Sequence, residues 1–216
     1  MLKIHKFTFN QFAENTYVAW CDETKDAAVI DPGCFDKTEQ RQLENFIDEN
    51  LLKVKYLLNT HCHIDHVLGN KFVIDRFNPE YYVPEKDMIL LQHFAKQCEA
   101  VGMEAEQPPL PEKYITEELN IKIGNVPIKF LFTPGHTAGE YCFYFETEKK
   151  CITGDVLFQN SIGRTDLFGG DFQTLIGSIG TKLLTLDDEV IIYPGHGSES
   201  TIGNERNENP FLQNVL

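Results

Sequence analysis

Thr60-His61-Cys62-His63-Ile64-Asp65-His66 places three imidazoles and one carboxylate within the six residues that begin at His61, directly after the apolar run 54–58. That run reads as a buried strand, so the polar cluster sits at a strand's C-terminal end. Along an extended segment the side chains at i and i+2 point the same way. His61 and His63 can therefore reach one ion while Cys62 faces away. Asp65 and His66 follow a turn and serve a neighbouring position, so one segment can address two metals.

Three later positions share this context. His136 follows Phe130-Leu131-Phe132-Thr133-Pro134-Gly135, Asp155 follows Cys151-Ile152-Thr153-Gly154, and His196 follows Ile191-Ile192-Tyr193-Pro194-Gly195. Each is an apolar run, a small or rigid turn residue, then a side chain able to hold metal. Open α/β sheets place their sites at such strand ends. Asp31 belongs to the same set, closing the apolar run 27–30 at Asp31-Pro32-Gly33.

The chain has 216 residues, 42% hydrophobic and 24% charged, as expected of a globular protein with one sizeable core; one domain spanning 1–216 is expected. A net charge of −14 with no cluster of Lys and Arg argues against a nucleic-acid partner, and none is expected. No run of about 18 apolar residues is present, so no membrane span is expected. The first residues alternate apolar and polar and lack a signal-peptide core. Six cysteines in so long a chain, without an export signal, read as free thiols in a reducing cytoplasm.

In order, 2–8 and 16–22 read as a hairpin, 27–30 as a third strand, 38–51 as a surface helix, 67–77 as a helix, 81–83 as a strand and 85–101 as an amphipathic helix. Gln107-Pro108-Pro109-Leu110-Pro111 is an exposed loop. Strands follow at 119–123, 128–132, 141–145 and 151–153, then a helix at 172–184 and a strand at 190–193. Strands interleaved with helices imply an α/β protein with sheet sandwiched between helices.

With Val29-Ile30-Asp31-Pro32-Gly33 before the opening stretch, and Pro134-Gly135-His136-Thr137, Thr153-Gly154-Asp155 and Pro194-Gly195-His196 after it, the chain resembles the metallo-β-lactamase superfamily. The resemblance implies a four-layer αβ/βα sandwich with two divalent metal ions, zinc first and iron or manganese as alternatives. It implies that His61, His63 and His136 hold one ion, that Asp65, His66 and His196 hold the other, and that Asp155 bridges them. Asp31 stands behind these residues, orienting ligands without binding metal. Two ions about 3.5 to 4 Å apart lower the pKa of a shared water and deliver hydroxide to a scissile ester, thioester, amide or phosphodiester. Asp65 has a catalytic role as well, orienting that hydroxide or taking its proton.

Three further stretches are similar to the glyoxalase II-like branch, which hydrolyses acyl thioesters of glutathione: 161–166, 168–171, and Thr201-Ile202-Gly203-Asn204-Glu205 leading to Asn209-Pro210-Phe211-Leu212. The expected substrate is a small acyl thioester such as S-lactoylglutathione. Many secreted β-lactamases of this fold carry Cys where Asp155 stands. Glyoxalase II proper has a C-terminal helical domain, whereas about twenty residues follow His196 here, so a short form is expected. Arg164 matches a basic position of the branch and can hold a substrate carboxylate bidentately; the other reading is a salt bridge to Asp166 or Asp171. Persulfide dioxygenases share the Gly-Arg-Thr-Asp loop, use one iron and consume oxygen, and form the alternative activity.

Overall fold

The computed structural model describes residues 1–213, so residues 214–216 of the expected single domain lie outside the described residues. The chain forms two compact units, Met1–Tyr114 with Ile121–Pro127, and Ile115–Asn120 with Ile128–Leu216.

The first unit is built on a sheet in the order β1 (Leu2–Phe9), β2 (Glu14–Cys21), β3 (Asp26–Ile30), β4 (Lys53–Leu58), β5 (Glu80–Pro84) and β6 (Lys113–Ile115). The first three strands are antiparallel neighbours, whereas β3, β4 and β5 run parallel. Parallel neighbours need crossovers, which helices supply. α1 (Lys37–Glu49) joins β3 to β4. Asp36 caps it, accepting hydrogen bonds from the Thr38 and Glu39 amides at 2.7 and 2.9 Å. Leu43 and Ile47 of α1 and Val73 of α3 (Asn70–Phe77) pack on Val18, Val29 and Leu57 of the sheet. Burying each such side chain stabilises the unit by about 1.5–3 kcal/mol. Tyr17, Ala19, Ala28, Ile30 and Leu58, on the other face, are also fully buried. That explains why 27–30 reads as a continuous apolar run instead of alternating.

Between β4 and α3 lies a single helical turn, α2 (Ile64–Val67); α4 (Met88–Gln92) and α5 (Phe94–Ala100) follow β5, and a small hairpin of β7 (Lys122–Ile123) and β8 (Val126–Pro127) completes the unit.

In the second unit β9 (Lys129–Phe132), β10 (Tyr141–Phe145) and β11 (Lys150–Gly154) are antiparallel. A tight hairpin of β12 (Leu157–Phe158) and β13 (Ser161–Ile162) follows, then α6 (Phe172–Ser178) and a π-helical turn, Ile179–Leu183. They cross over to β14 (Ile191–Pro194), parallel to β11, with β15 (Ser200–Thr201) outermost before α7 (Ile202–Glu208). Leu175, Ile179, Leu183 and Ile202 pack on Cys142, Cys151 and Ile192. Each unit is therefore a sheet with helices laid on it, the α/β class expected. No helix among the described residues is long and apolar enough to cross a membrane.

Three segments depart from the periodicity. The helix expected over 67–77 is two, broken at Leu68-Gly69, because Gly69 lies against the Pro32 turn: its amide donates to Pro32 O at 2.7 Å, and a β-carbon there would sit 2.5 Å from Cys34 Sγ. The helix expected over 85–101 is interrupted at His93, where the carbonyls of Leu90 and Leu91 accept from the side-chain amides of Gln97 and Gln107 at 2.9 and 2.8 Å. The strand expected at 119–123 is reduced to β7, since Leu119 closes a turn onto Thr116. Cys142 and Cys151 lie on paired strands, with Cys151 opposite Tyr144, and all six cysteines are free.

Candidate metal centre

In the first unit β4 ends at Leu58, and the chain turns through Asn59 and Thr60 into the histidine stretch. The Asn59 amide group donates to His66 O at 2.9 Å, tying the two ends of the stretch together. The His61 ring lies edge-on to His63 with centroids 4.9 Å apart and 4.1 Å from the His66 ring. His61 and His66 are fully buried, and Asp65 is nearly so. Asp65 Oδ2 stands 3.7 Å from His66 Nε2. Cys62 faces the other way, into a cluster with Ile64, Val67, Leu91 and Phe94, and burial pushes its thiol pKa well up.

Asp31 turns both oxygens onto protein groups. Oδ1 accepts from the Thr60 amide at 2.7 Å; Oδ2 accepts from Thr60 Oγ1 at 2.6 Å and lies 3.2 Å from His66 Nδ1. A carboxylate there fixes the imidazole's tautomer and ring orientation. Asp31 itself has φ +48°, a left-handed conformation that Asp tolerates better than most residues.

Four residues outside the motifs brace this stretch. Gln97 of α5 accepts from the Ile64 amide at 3.0 Å and donates to Cys62 O at 3.3 Å, so its amide flanks His63 as a neighbouring strand would. Asp87 accepts from the Cys62 amide at 3.3 Å. Asn10, in the β1–β2 turn, donates to Gly33 O and to Asp65 O at 3.0 and 3.1 Å. Glu14 is fully buried, accepts from Thr16 Oγ1 and lies 4.0 Å from His66 Nδ1; desolvation raises its pKa well above the usual carboxylate range. Gly33 must lack a β-carbon, which would stand 2.0 Å from Glu14 Oε2. None of the four announces itself locally, because each reaches the site from a distant point of the chain.

In the second unit the parallel pair β11 and β14 sets the ends of two strands side by side, with the Gly195 amide donating to Gly154 O at 2.7 Å. Asp155 and His196 follow these ends, and His196 Nε2 lies 3.5 Å from Asp155 Oδ2. His136 Nε2 is also 3.5 Å from that oxygen. The Asp155 amide donates to Oε1 of the buried Glu140 at 2.7 Å. Gly135, at φ +135°, lies against α6, where a β-carbon would meet the Leu175 backbone at 2.3 Å.

His136 Nδ1 is 2.7 Å from the carbonyl oxygen of Arg164. A carbonyl only accepts, so Nδ1 carries the proton and Nε2 presents its lone pair toward the Asp155 carboxylate. With the ring neutral, two acceptor atoms face one another across 3.5 Å, as they do around a cation. His66 repeats the pattern, with Asp31 at Nδ1 and Asp65 toward Nε2. Imidazole nitrogen with carboxylate oxygen is a donor set that suits zinc, iron and manganese. The residues present thus fit divalent metal.

The Arg164 side chain forms a two-pronged ion pair with Asp166, Nε to Oδ1 and a terminal nitrogen to Oδ2, both at 2.7 Å. That guanidinium holds the Asp166 carboxyl down at about 2. Asp171 is instead the N-cap of α6, accepting from the Thr174 amide at 2.7 Å. Of the two partners open to Arg164 in the sequence, the structure selects Asp166.

Comparison with known proteins accords with this chemistry. The metallo-beta-lactamase superfamily profile matches residues 10–196. The hydroxyacylglutathione hydrolase GloC of Haemophilus influenzae is 42% identical over 203 residues, 93% of each chain. The crystal structure of the BLEG-1 B3 metallo-beta-lactamase is 33% identical, with a TM-score of 0.89 over 97% of this chain and 99% of that one. That of TTHA1623 in a di-iron-bound form is 31% identical, with a TM-score of 0.86 over 96% of this chain and 100% of that one. The family and the hydrolase relative make this a metal-dependent hydrolase. The chain belongs to the metallo-β-lactamase superfamily, in its glyoxalase II-like branch.

Proposed function

We propose that the two units make up one hydrolase domain that binds two divalent ions and cleaves a small acyl thioester, S-lactoylglutathione or a related thiol ester. The observation that carries this reading is the pairing of imidazole nitrogens with carboxylate oxygens: His136 and His196 against Asp155, His66 against Asp65. The thioester assignment draws on the likeness to GloC, whose name states that activity.

In this reading His61, His63 and His136 hold one ion, Asp65, His66 and His196 the other, and Asp155 both. Zinc is the favoured metal, and the di-iron form of TTHA1623 supports testing iron beside it. Bound there, the ions would supply Lewis acidity toward the scissile carbonyl and lower the pKa of a water toward neutrality. Asp65 would orient that water and take its proton. Asp31 keeps His66 in one tautomer, and the Arg164 carbonyl does the same for His136. The Arg164 side chain faces solvent with Asp166, so a substrate carboxylate reaches it by displacing that partner. The net charge of −14 supports a small-molecule substrate over nucleic acid, and the free cysteines support a cytoplasmic location.

The test is metal analysis of protein purified without added metal, followed by assays on S-lactoylglutathione, other acyl thioesters, a chromogenic β-lactam and a glutathione persulfide with oxygen uptake recorded. Thioester turnover that requires two ions per chain is the expected result. Oxygen consumption with one iron per chain, or turnover of the β-lactam alone, would replace this reading.

A further inference from the structure

The stretch Thr201-Ile202-Gly203-Asn204-Glu205 to Asn209 has no part in the ligand set, yet it contains a buried carboxylate held by a dense set of donors. Glu205, fully buried on α7, receives four donors. The Asn160 amide and Asn209 Nδ2 bond Oε2 at 2.8 and 2.9 Å; Asn204 Nδ2 bonds Oε1 at 3.0 Å, together with Ser200 Oγ. A carboxylate accepts on both oxygens, so no other side chain of this size satisfies all four. Asn209 Nδ2 also donates to Ser161 O at 3.0 Å, and Asn209 Oδ1 accepts from the Phe211 amide.

Two of the groups so held, Asn160 N and Ser161 O, form the tip of the β12–β13 hairpin. Strands of two residues each cannot hold a fixed position by their own pairing. The hairpin runs directly into Gly163 and Arg164. Gly163 donates to Val156 O at 3.3 Å and lies so close to Asp155 that a β-carbon would stand 1.8 Å from its carbonyl oxygen and 3.2 Å from His136 Cβ. The next carbonyl, that of Arg164, is the one bonded to His136 Nδ1.

We propose that Glu205, with Asn209, is a positioning residue for the metal ligands of this unit: by clamping the hairpin tip to α7 it sets the Gly163-Arg164 backbone that orients His136. The proposal rests on the reading of His136 and Asp155 as metal ligands. It makes the C-terminal helix part of the metal centre's construction, although α7 supplies no ligand.

The test is a cobalt(II) titration of the metal-free full-length chain, followed by visible absorption, for wild type, Glu205→Gln, Asn209→Ala and Leu43→Ala. Leu43, in the core of the other unit, serves as a control for lost stability. Substitution of groups that orient metal-bound histidines typically costs 10- to 100-fold in affinity. Acting one step further out, Glu205→Gln and Asn209→Ala are expected to weaken cobalt binding by about tenfold and to alter the absorption bands, while Leu43→Ala changes neither. Equal affinity and unchanged bands in both hairpin variants, or losses no larger than that of Leu43→Ala, would overturn the proposal. If Glu205→Gln does not fold, Asn209→Ala, which leaves the carboxylate on the Asn160 amide, decides alone. A His136→Ala variant with wild-type binding would overturn the ligand reading, and the positioning role with it; impaired His136→Ala beside intact hairpin variants would overturn the positioning role only.

Discussion

His136 Nδ1 and the main-chain oxygen of Arg164 stand 2.7 Å apart, while the guanidinium of the same arginine points to solvent and pairs with Asp166. One residue thus serves two purposes through different atoms, its backbone toward His136 and its side chain toward the surface. Substitutions can separate them.

Arg164→Ala removes only the exposed pair. The Asp166 carboxyl, now held at about 2, should then titrate nearer the usual value of about 3.9. Because the folded-state pKa is the depressed one, the pair's contribution is complete above the unfolded value and disappears as pH falls through about 2. Carboxyl-detected NMR titration reads this directly. Metal affinity should stay within about twofold of wild type, since a surface substitution away from buried groups rarely changes stability by more than about 0.5 kcal/mol. Asp166→Ala should lower KM several-fold for a thioester bearing a carboxylate, with kcat unchanged, by removing the competitor for Arg164; an unchanged KM would mean that the arginine does not meet substrate.

Gly163→Ala acts on the backbone instead. Its β-carbon would fall 1.8 Å from Asp155 O, so the segment must shift. Overpacking of this kind costs about 1–3 kcal/mol, visible as a lower Tm. Because the displaced segment carries the carbonyl bonded to His136, the same variant should lose metal affinity, measured by competition with a chelator.

Asp31→Asn replaces a carboxylate that accepts from Thr60 twice and faces His66 Nδ1 at 3.2 Å. An amide retains one acceptor and turns a donor toward one of these groups. A buried polar group left unsatisfied costs about 1–3 kcal/mol, and a metal-orienting contact about 10- to 100-fold in affinity. Thermal unfolding and isothermal titration with zinc should both register the change, without loss of the protein's capacity to bind two ions at saturation.

Asp155→Ala removes the oxygen that faces both His136 and His196 at 3.5 Å. Both metal positions should empty or become disordered, and activity should vanish. Elemental analysis showing two ions per chain, with turnover intact, would refute the bridging role.

The α/β class and the strand-end positions of His61, His136, Asp155 and His196 were legible from sequence, because apolar runs ending in small or rigid turn residues are local signals. So was the division of labour in the opening stretch, where Cys62 turns into the core and the histidines away from it. The residues that brace these groups were not legible. Asn10, Gln97, Glu140 and Glu205 act by hydrogen bonds to groups brought near them by folding, and Glu14 by its place beside His66; such contacts impose no periodicity. The helix breaks at Gly69 and His93 escaped for the same reason, Gly69 lying against the Pro32 turn and the carbonyls before His93 being taken by the Gln97 and Gln107 side chains. Arg164 shows the boundary most plainly. Sequence alone determined that a basic residue stands nine positions after Asp155 with two acids close behind. Only the tertiary structure decided that its side chain takes Asp166, because Asp171 is committed to the N-terminus of α6, and that its carbonyl, which no sequence pattern records, reaches His136.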